Sequence, residues 1–258
     1  MKPITFFLLI VLLPSLAFSW TTEADLRIAR KAASLAPPDL RLLLLEKFNA
    51  EYQQAVRDAA RDEQSETHRY FVLSKKGKLD AKIQTEVRET IKALRSRSGV
   101  SGAVERLGLI AHLVADANNP FNVSNSDANL TPSQEDFEAY FERKLQRFPT
   151  VFYGLEPDFR LERYLASTFD RSANFYPLLS EEYFRFGERR TSQDFDDRST
   201  AFGIASVSYS HAVTDLVNIY FHIWREAGGD VRSARMLQKG NLYVNELQKL
   251  EGGFGTQK

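Results

Sequence analysis

The chain contains no cysteine. It cannot form disulfides, so a hydrophobic core must stabilise it unless a metal bound by other side chains contributes. The sequence also lacks a net charge, because its 34 basic residues equal its 34 acidic ones. A balanced charge provides no overall attraction to nucleic acid or to an anionic membrane. Composition therefore excludes a disulfide scaffold and gives no indication of a nucleic-acid-binding protein.

Long apolar runs are missing after residue 19, where nothing approaches the roughly 20 residues that a membrane-spanning helix needs. The N-terminus has the pattern of an export signal. Lys2 is followed by an apolar run over residues 6–13, and residues 17–19 form a small-x-small cleavage pattern. We predict that residues 1–19 are a signal peptide and that the protein is exported, either to a periplasm or outside the cell. Cleavage would leave Trp20 as the first residue, and an uncleaved signal anchor is the alternative.

Strand-like alternation is also absent, and apolar residues recur instead at helical spacing through most of the chain. Residues 67–73 are aromatic and predicted to be extended or loop, and residues 118–130 are rich in Asn, Ser and Asp and predicted to be loop. We predict an all-α fold, with a single multi-helix domain over residues 20–258. The predicted helices span about 21–36, 39–62, 83–98, 101–117, 131–148, 161–169, 181–186, 194–227 and 230–250.

Histidine is scarce, with four in the whole chain, and two of them are followed four residues later by aspartate. These pairs are His112 with Asp116 and His211 with Asp215. On a helix, each pair lies on one face, one turn apart. Zinc binds imidazole nitrogen and carboxylate oxygen, so this spacing suits two ligands of one metal ion. The alternative is that each histidine packs in the core or supports a neighbouring residue.

The candidate ligands occur in an order that resembles a known family, the bacterial zinc-dependent phospholipases C and the related fungal-type single-strand zinc nucleases. That family has the pattern His-x-x-x-Asp-x-x-Gln-Pro-x-His and an N-terminal Trp freed by processing. The resemblance implies an all-α fold of the zinc-dependent phospholipase C type, a zinc cofactor, and hydrolysis of phosphate esters by metal-bound hydroxide. The matching residues are Trp20, Asp58 before His68, His112-x-x-x-Asp116-x-x-Asn119-Pro120-x-Asn122, and His211-x-x-x-Asp215.

The resemblance also implies which residues would hold each metal. The ligands of the first zinc would be Asp58, His68, His112 and Asp116, and all four residue types are intact. We further expect Asp58 to take a direct part in catalysis. This site is the one that the sequence supports fully.

The two other implied zinc sites have substitutions. The second would use Asn122, His211 and Asp215, where Asn122 stands in place of a histidine, and an amide is a poor zinc ligand compared with imidazole. The third would use the amine and carbonyl of Trp20, Asp25 in place of an early histidine, and Asp116, which would bridge to the first site. We therefore expect Zn²⁺ at one intact site, with two further sites altered.

Two functions follow from this pattern. The first is an exported, phospholipase C-like zinc phosphoesterase, with phospholipid favoured over nucleic acid because the chain has neither net positive charge nor an evident basic groove. The alternative is a degenerate, non-catalytic member of the family that retains one structural zinc and acts as a binding or interaction module. A zinc with four protein ligands and no open position is structural, so the ligand set decides between the two.

Overall fold

Helices dominate the computed structural model and confirm the predicted all-α class. The predicted signal peptide lies outside the described residues, as does the predicted last helix from residue 238 onward. No helix in the described parts of the chain is long and apolar enough to cross a membrane. The structure describes residues 20–61, 65–96, 99–124 and 131–237.

The described residues form α-helices and one small antiparallel hairpin. The helices are α1 (Thr22–Leu35), α2 (Pro38–Leu42), α3 (Asn49–Ala59), α4 (Leu79–Ser96), α5 (Val100–Ala117), α6 (Pro120–Val123), α7 (Thr131–Lys144), α8 (Leu161–Ala173), α9 (Tyr176–Tyr183) and α10 (Thr200–Glu226). The strands are β1 (Tyr70–Phe71) and β2 (Lys76–Gly77). Shorter helical turns are Leu43–Lys47 (π) and, as 3-10 turns, Ser65–His68, Leu145–Arg147, Arg185–Gly187, Ser192–Asp194 and Arg232–Met236.

The first helices begin and end where local chemistry requires. The side chain of Thr21 accepts a hydrogen bond from the N–H of Ala24, which satisfies one of the unpaired donors at the start of α1. Pro38 occupies the first turn of α2, where its missing N–H costs nothing. The continuous helix predicted over residues 39–62 is instead interrupted by the π-helical turn, which separates α2 from α3.

Helix α5 lies at the centre of the core and packs closely against α3. Gly108 permits this approach, because a Cβ atom there would lie 2.6 Å from Ala55 Cβ and 2.8 Å from the carbonyl oxygen of Tyr52. From Ile110 to Ala117 every residue of α5 is buried. The C-terminal half of the helix therefore carries two polar side chains, His112 and Asp116, into the interior, where each must find a partner.

An extended segment, residues 149–156, runs along α10 without forming a strand. Three polar side chains at one-turn intervals on α10 bind its backbone, so the segment lies in a fixed position. The bonds run from Val151 N to Ser210 Oγ (3.2 Å), from Tyr153 N to Thr214 Oγ1 (3.1 Å) and from Glu156 N to Asn218 Oδ1 (2.7 Å).

The hairpin lies in the stretch predicted to be extended or loop. Tyr70 pairs with Gly77, and Phe71 pairs with Lys76. The short helix α6 forms within the stretch predicted to be loop, because Asn119 caps it by accepting a hydrogen bond from the N–H of Phe121.

Candidate metal centre

Three buried side chains direct their donor atoms toward one point in the interior. His112 Nε2 lies 3.1 Å from His68 Nδ1 and 3.2 Å from Asp116 Oδ2, and His68 Nδ1 lies 2.8 Å from the same Asp116 oxygen. His68 is 5% exposed, and the other two side chains are fully buried. We call these three residues the donor cluster. It is the only group of potential metal ligands of this kind within the described residues.

Two separate elements build the donor cluster. His112 and Asp116 lie one turn apart on α5, as their spacing predicts. His68 comes from a distant part of the chain, as the last residue of the 3-10 turn Ser65–His68 that precedes the hairpin. The third member therefore depends on how the hairpin region packs against α5.

The donor cluster fits the ligand chemistry of zinc. Two imidazole nitrogens and one carboxylate oxygen are the donors that zinc commonly takes. In a tetrahedral site with bonds of about 2.0 Å, neighbouring ligand atoms are separated by about 3.3 Å. The separations here, 2.8 to 3.2 Å, are close to that spacing. His68, His112 and Asp116 could therefore hold one ion.

Asp25 contacts the donor cluster through His112 and is not one of its members. Its Oδ2 atom lies 2.7 Å from Nδ1 of His112, which is the ring nitrogen that faces away from the cluster. Burial raises the pKa of Asp25 to about 6, and the neighbouring His112 opposes that rise. The family resemblance implies that Asp25 is a metal ligand. The structure instead places it on the far side of His112, where it can orient the ring.

Asn122 is hydrogen-bonded on both sides of its amide. Its Nδ2 donates to Asp116 Oδ1 at 3.1 Å, and its Oδ1 accepts from Gln134 Nε2 at 3.3 Å. Gln134 also donates to Glu138 Oε1 at 2.9 Å, and Asn119 donates to the same oxygen at 3.2 Å. The amide nitrogen thus faces Asp116, and the oxygen that a metal would need faces Gln134 instead.

Two residues near the donor cluster, Gln134 and Glu138, are not among the site residues predicted from the sequence; they lie one turn apart on α7. Their amide-x-x-x-carboxylate spacing was the available signal, but that spacing is common on helix surfaces. Gln134 is the direct partner of Asn122, and Glu138 is linked to Asn122 through Gln134.

Burial controls the charge of the carboxyl group at this end of the cluster. It raises the pKa of Glu138 to about 8, with the charge of Asp116 adding to the rise and the amide hydrogen bonds opposing it. Arg69 faces both Glu138 and Asp116, and burial lowers the pKa of its guanidinium. At neutral pH, Glu138 is therefore mainly protonated, so its neighbourhood carries less negative charge than its composition suggests.

His211 and Asp215 lie on α10 and line a cavity of about 320 Å³, to which no residue of the donor cluster contributes. The ring of His211 stacks on Tyr153 with centroids 4.3 Å apart. Asp215 forms an ion pair with Arg171, whose guanidinium supplies the positive charge that a metal would bring. The expected second site is therefore not assembled from these residues. The carboxylate accepts hydrogen bonds from Arg171 Nη2 (2.5 Å), Tyr164 OH (2.7 Å), Asn118 Nδ2 (3.0 Å) and Thr168 Oγ1 (3.2 Å).

Asp58 is not brought to the donor cluster. Its side chain is 60% exposed on α3, where it accepts hydrogen bonds from Gln54 Nε2 at 2.7 Å and Arg61 Nη1 at 3.4 Å. Helix α3 turns Tyr52 and Val56 toward the core and leaves Asp58 on the solvent side. The structure therefore differs from the sequence-based expectation of Asp58 as a ligand and catalytic residue.

Trp20 packs against α5, next to the donor cluster. Its indole N–H donates to the carbonyl of Ala115 at 2.8 Å, and the centroid of its ring lies 3.8 Å from the centroid of the Phe141 ring. The side chain is 2% exposed. Ligation by the Trp20 amine stays a prediction, because it depends on cleavage after residue 19.

Comparison with solved structures identifies relatives of the fold. The alpha-toxin of Clostridium perfringens from avian strain SWCP matches with a TM-score of 0.59 and 13% identity, over 82% of this chain and 66% of the toxin. The fold is that of the zinc-dependent phospholipases C. The alpha toxin of Clostridium absonum matches with a TM-score of 0.58 and 15% identity, over 83% of this chain and 68% of the toxin.

The phospholipase C fold was the architecture expected from the sequence, and this prediction is confirmed. The chain spans about two thirds of the length of each toxin. No family model matches the sequence, and no curated protein matches it. At 13–15% identity, the likeness establishes the fold, so activity must be argued from the side chains.

Proposed function

We propose that this protein uses the phospholipase C fold to hold one buried metal ion, most suitably zinc, which stabilises a binding or interaction module. The observation that carries the proposal is the donor cluster, in which three donor atoms lie within 3.2 Å of one another in a site that is at most 5% exposed. A metal bound there would cross-link α5 to the turn before the hairpin and so add binding energy to folding.

The residues around the donor cluster favour one ion over two or three. Both polar atoms of the Asn122 amide are hydrogen-bonded, Glu138 is held by two amide groups, and Asp215 is neutralised by Arg171. Each of these groups is satisfied without a metal, so none provides a set of free donors for a second ion.

Burial also favours a structural role over a catalytic one. A catalytic zinc keeps a position open to water or substrate, and the three protein ligands of the donor cluster would leave such a position on the ion. Access to that position therefore decides between the two roles. The donor atoms of His112 and Asp116 are fully buried, so a phosphate ester cannot reach them unless the surrounding residues move. When bound, zinc can supply Lewis acidity, but here the protein residues mainly orient the ligands and exclude solvent.

The second candidate is an exported zinc-dependent phosphoesterase, with phospholipid favoured over nucleic acid as substrate. The structural similarity to the clostridial alpha-toxins supports it, together with the donor cluster, whose two imidazoles and one carboxylate suit zinc. Export rests on the predicted signal peptide at residues 1–19. This candidate predicts two or three zinc ions per chain and requires access of substrate to the donor cluster.

Metal content, stability and turnover distinguish the two candidates when measured on one sample of the purified protein with its N-terminal residue identified. We expect about one zinc per chain, a lower melting temperature after chelation, and no hydrolysis across a panel of phosphodiesters and phospholipids. Two or more ions with turnover that stops on chelation would establish the phosphoesterase instead. If the purified protein contains no metal and its melting temperature changes with neither zinc nor chelator, both candidates are wrong.

A pair of histidine variants tests the assignment of the site. His112→Ala removes the donor that faces both other members of the cluster and should abolish metal binding. The control, His222→Ala, makes the same substitution at a half-buried histidine near Arg225 and Phe159, away from the donor cluster. It should retain the metal in full. Equal metal content in the two variants would show that the metal binds elsewhere.

A further inference from the structure

The tip of the hairpin exposes the most solvent-accessible large apolar side chain among the described residues. Leu73 is 83% exposed, whereas the other exposed large apolar side chains in this part of the chain range from 37% to 47%. Isolated apolar residues on a surface are ordinary. A leucine that projects almost entirely into solvent from a turn is less common, because polar residues could form the same turn at no cost in packing.

Two lysines follow Leu73, Lys75 in the turn and Lys76 as the first residue of β2. Lys75 and Lys76 are exposed, and neither makes an ion pair with any described residue. The next lysine, Lys78, is paired with Glu66 at 2.7 Å. The hairpin tip, which we define as residues 72–76, therefore combines one protruding leucine with two uncompensated positive charges.

The base of the hairpin is anchored, so its tip cannot fold back onto the core. The N–H of Val72 donates to the carbonyl of Val123 at 3.1 Å, and the N–H of Leu79 donates to the carbonyl of Arg69 at 3.2 Å. The ring of Tyr70 packs 4.8 Å from that of Phe169. With its base held in this way, the hairpin leaves Leu73 in solvent, where an external surface could cover it.

We propose that the hairpin tip binds the surface of an anionic lipid bilayer. Leu73 would enter the boundary between head groups and acyl chains, while Lys75 and Lys76 would lie among the lipid phosphates. A stable protein interface needs about 800 Å² on each partner, far more than one projecting turn provides. A nucleic acid would use the lysines but would leave the leucine in water. The combination of both features favours lipid.

Such binding is weak and reversible. The single leucine contributes little free energy of insertion, and the attraction of the two lysines to lipid phosphates is screened by salt. It also requires no metal, so it is independent of the function proposed for the donor cluster. His68 is separated from the hairpin by Arg69 alone, so a bound bilayer would lie on the side of the molecule where that part of the cluster sits.

Co-sedimentation of the intact chain with lipid vesicles tests the proposal. We expect binding to vesicles of phosphatidylcholine with phosphatidylglycerol in about equal parts, little binding to phosphatidylcholine alone, and release at high salt. Replacing Lys75 and Lys76 together with Ala should weaken partitioning about 25-fold, at about fivefold for each lysine. Leu73→Asp should weaken it at least about tenfold, because a charge replaces the inserted apolar group.

Matched variants elsewhere on the surface control for general effects of charge and hydrophobicity. Leu42→Asp changes another exposed leucine, 39% accessible on α2, and Lys47→Ala removes another exposed lysine. Both should bind as the unmodified chain does. All variants should keep the unmodified melting temperature, since these side chains are exposed. Binding that survives Leu73→Asp, or an unmodified chain that ignores anionic vesicles at low salt, would overturn the proposal. So would loss of a dimer in Leu73→Asp without any vesicle binding.

Discussion

The carboxylate of Asp25 lies 2.7 Å from Nδ1 of His112, on the side of the ring opposite His68 and Asp116. An acceptor at this position favours the proton on Nδ1, which leaves Nε2 with a free electron pair directed into the donor cluster. Asp25 therefore acts on the metal site through His112. The relationship explains why a carboxylate is fully buried in the first turn of α1.

Replacing Asp25 should weaken metal binding without removing a ligand. In Asp25→Asn the acceptor is less basic and His112 is oriented less firmly, so we expect the affinity for zinc to fall about 10- to 100-fold. Competition with a chromophoric chelator measures the affinity directly.

Asp58→Asn is the matched control, because it makes the same chemical change on the exposed face of α3. Zinc affinity should stay within about twofold of the unmodified value, given the remoteness of that side chain from the donor cluster. An equal loss in both variants would instead support Asp58 as a ligand, as the family resemblance implies.

Arg171 should be essential for stability because it neutralises Asp215, which is 2% exposed. Arg171→Met leaves that carboxylate buried without its counter-charge, and we expect a loss of about 3–5 kcal/mol in the free energy of unfolding. The double variant Arg171→Met with Asp215→Asn should recover part of the loss. Urea titration monitored by circular dichroism measures both.

The exposed ion pair between Arg232 and Asp230 provides the comparison for that experiment. Arg232→Ala should give no resolvable change, because exposed pairs are screened by solvent. If Arg171→Met behaved in the same way, the buried pair would not be a structural replacement for a metal.

Glu138 should make stability depend on pH. Its pKa is about 8 in the folded chain and near 4.5 when unfolded, so between these values the folded state holds a proton that the unfolded state has lost. Stability therefore decreases as pH rises through this window. Glu138→Gln keeps an oxygen to accept from Asn119 and Gln134 and should remove this dependence. The gain, on the order of a few kcal/mol, should be largest above about pH 8.

Thermal unfolding of both proteins at a series of pH values checks this prediction. The difference between their melting temperatures should grow as pH rises and then become constant. A constant difference at all pH values would show that Glu138 does not change its protonation on folding.

Two glycines in helices should respond in opposite directions to alanine. Gly108→Ala would put a methyl group 2.6 Å from Ala55 Cβ and 2.8 Å from a backbone oxygen, so we expect a loss of about 1–3 kcal/mol as α3 is pushed away. Gly203→Ala meets nothing within 4 Å on α10 and should stabilise by about 0.5–1 kcal/mol. Chemical denaturation of the two variants gives both values, and destabilisation by Gly203→Ala would contradict the open space seen there.

Local patterns predicted the helices well where apolar spacing was regular. The helix expected at about 101–117 is α5, and the one expected from Thr131 is α7. The π-helical turn that divides the region predicted as one helix was not predictable, because its residues have ordinary helical spacing. The hairpin also escaped prediction as such, since each strand has two residues and depends on anchoring by α6 and α8.

The candidate site shows the limit of local patterns more clearly. His112 with Asp116 and His211 with Asp215 have identical spacing on helices, yet one pair meets His68 and the other aspartate meets Arg171. The difference lies entirely in distant residues: His68 is 44 positions from His112, and Arg171 is 44 from Asp215. Whether a His-x-x-x-Asp pair becomes a metal site is therefore decided by tertiary packing.

The position of Trp20 gives the molecule an internal optical signal. Its indole is buried and bonded to the carbonyl of Ala115, immediately before Asp116 in α5, whereas the other tryptophan, Trp224, lies near the end of α10. A Trp224→Phe variant would leave Trp20 as the single tryptophan, bonded to the residue before Asp116 of the donor cluster and excitable selectively over the tyrosines at long wavelength. Its emission wavelength would follow the polarity and order of that region, so the filling of the centre and the melting of its surroundings could be observed in the same cuvette without any added dye.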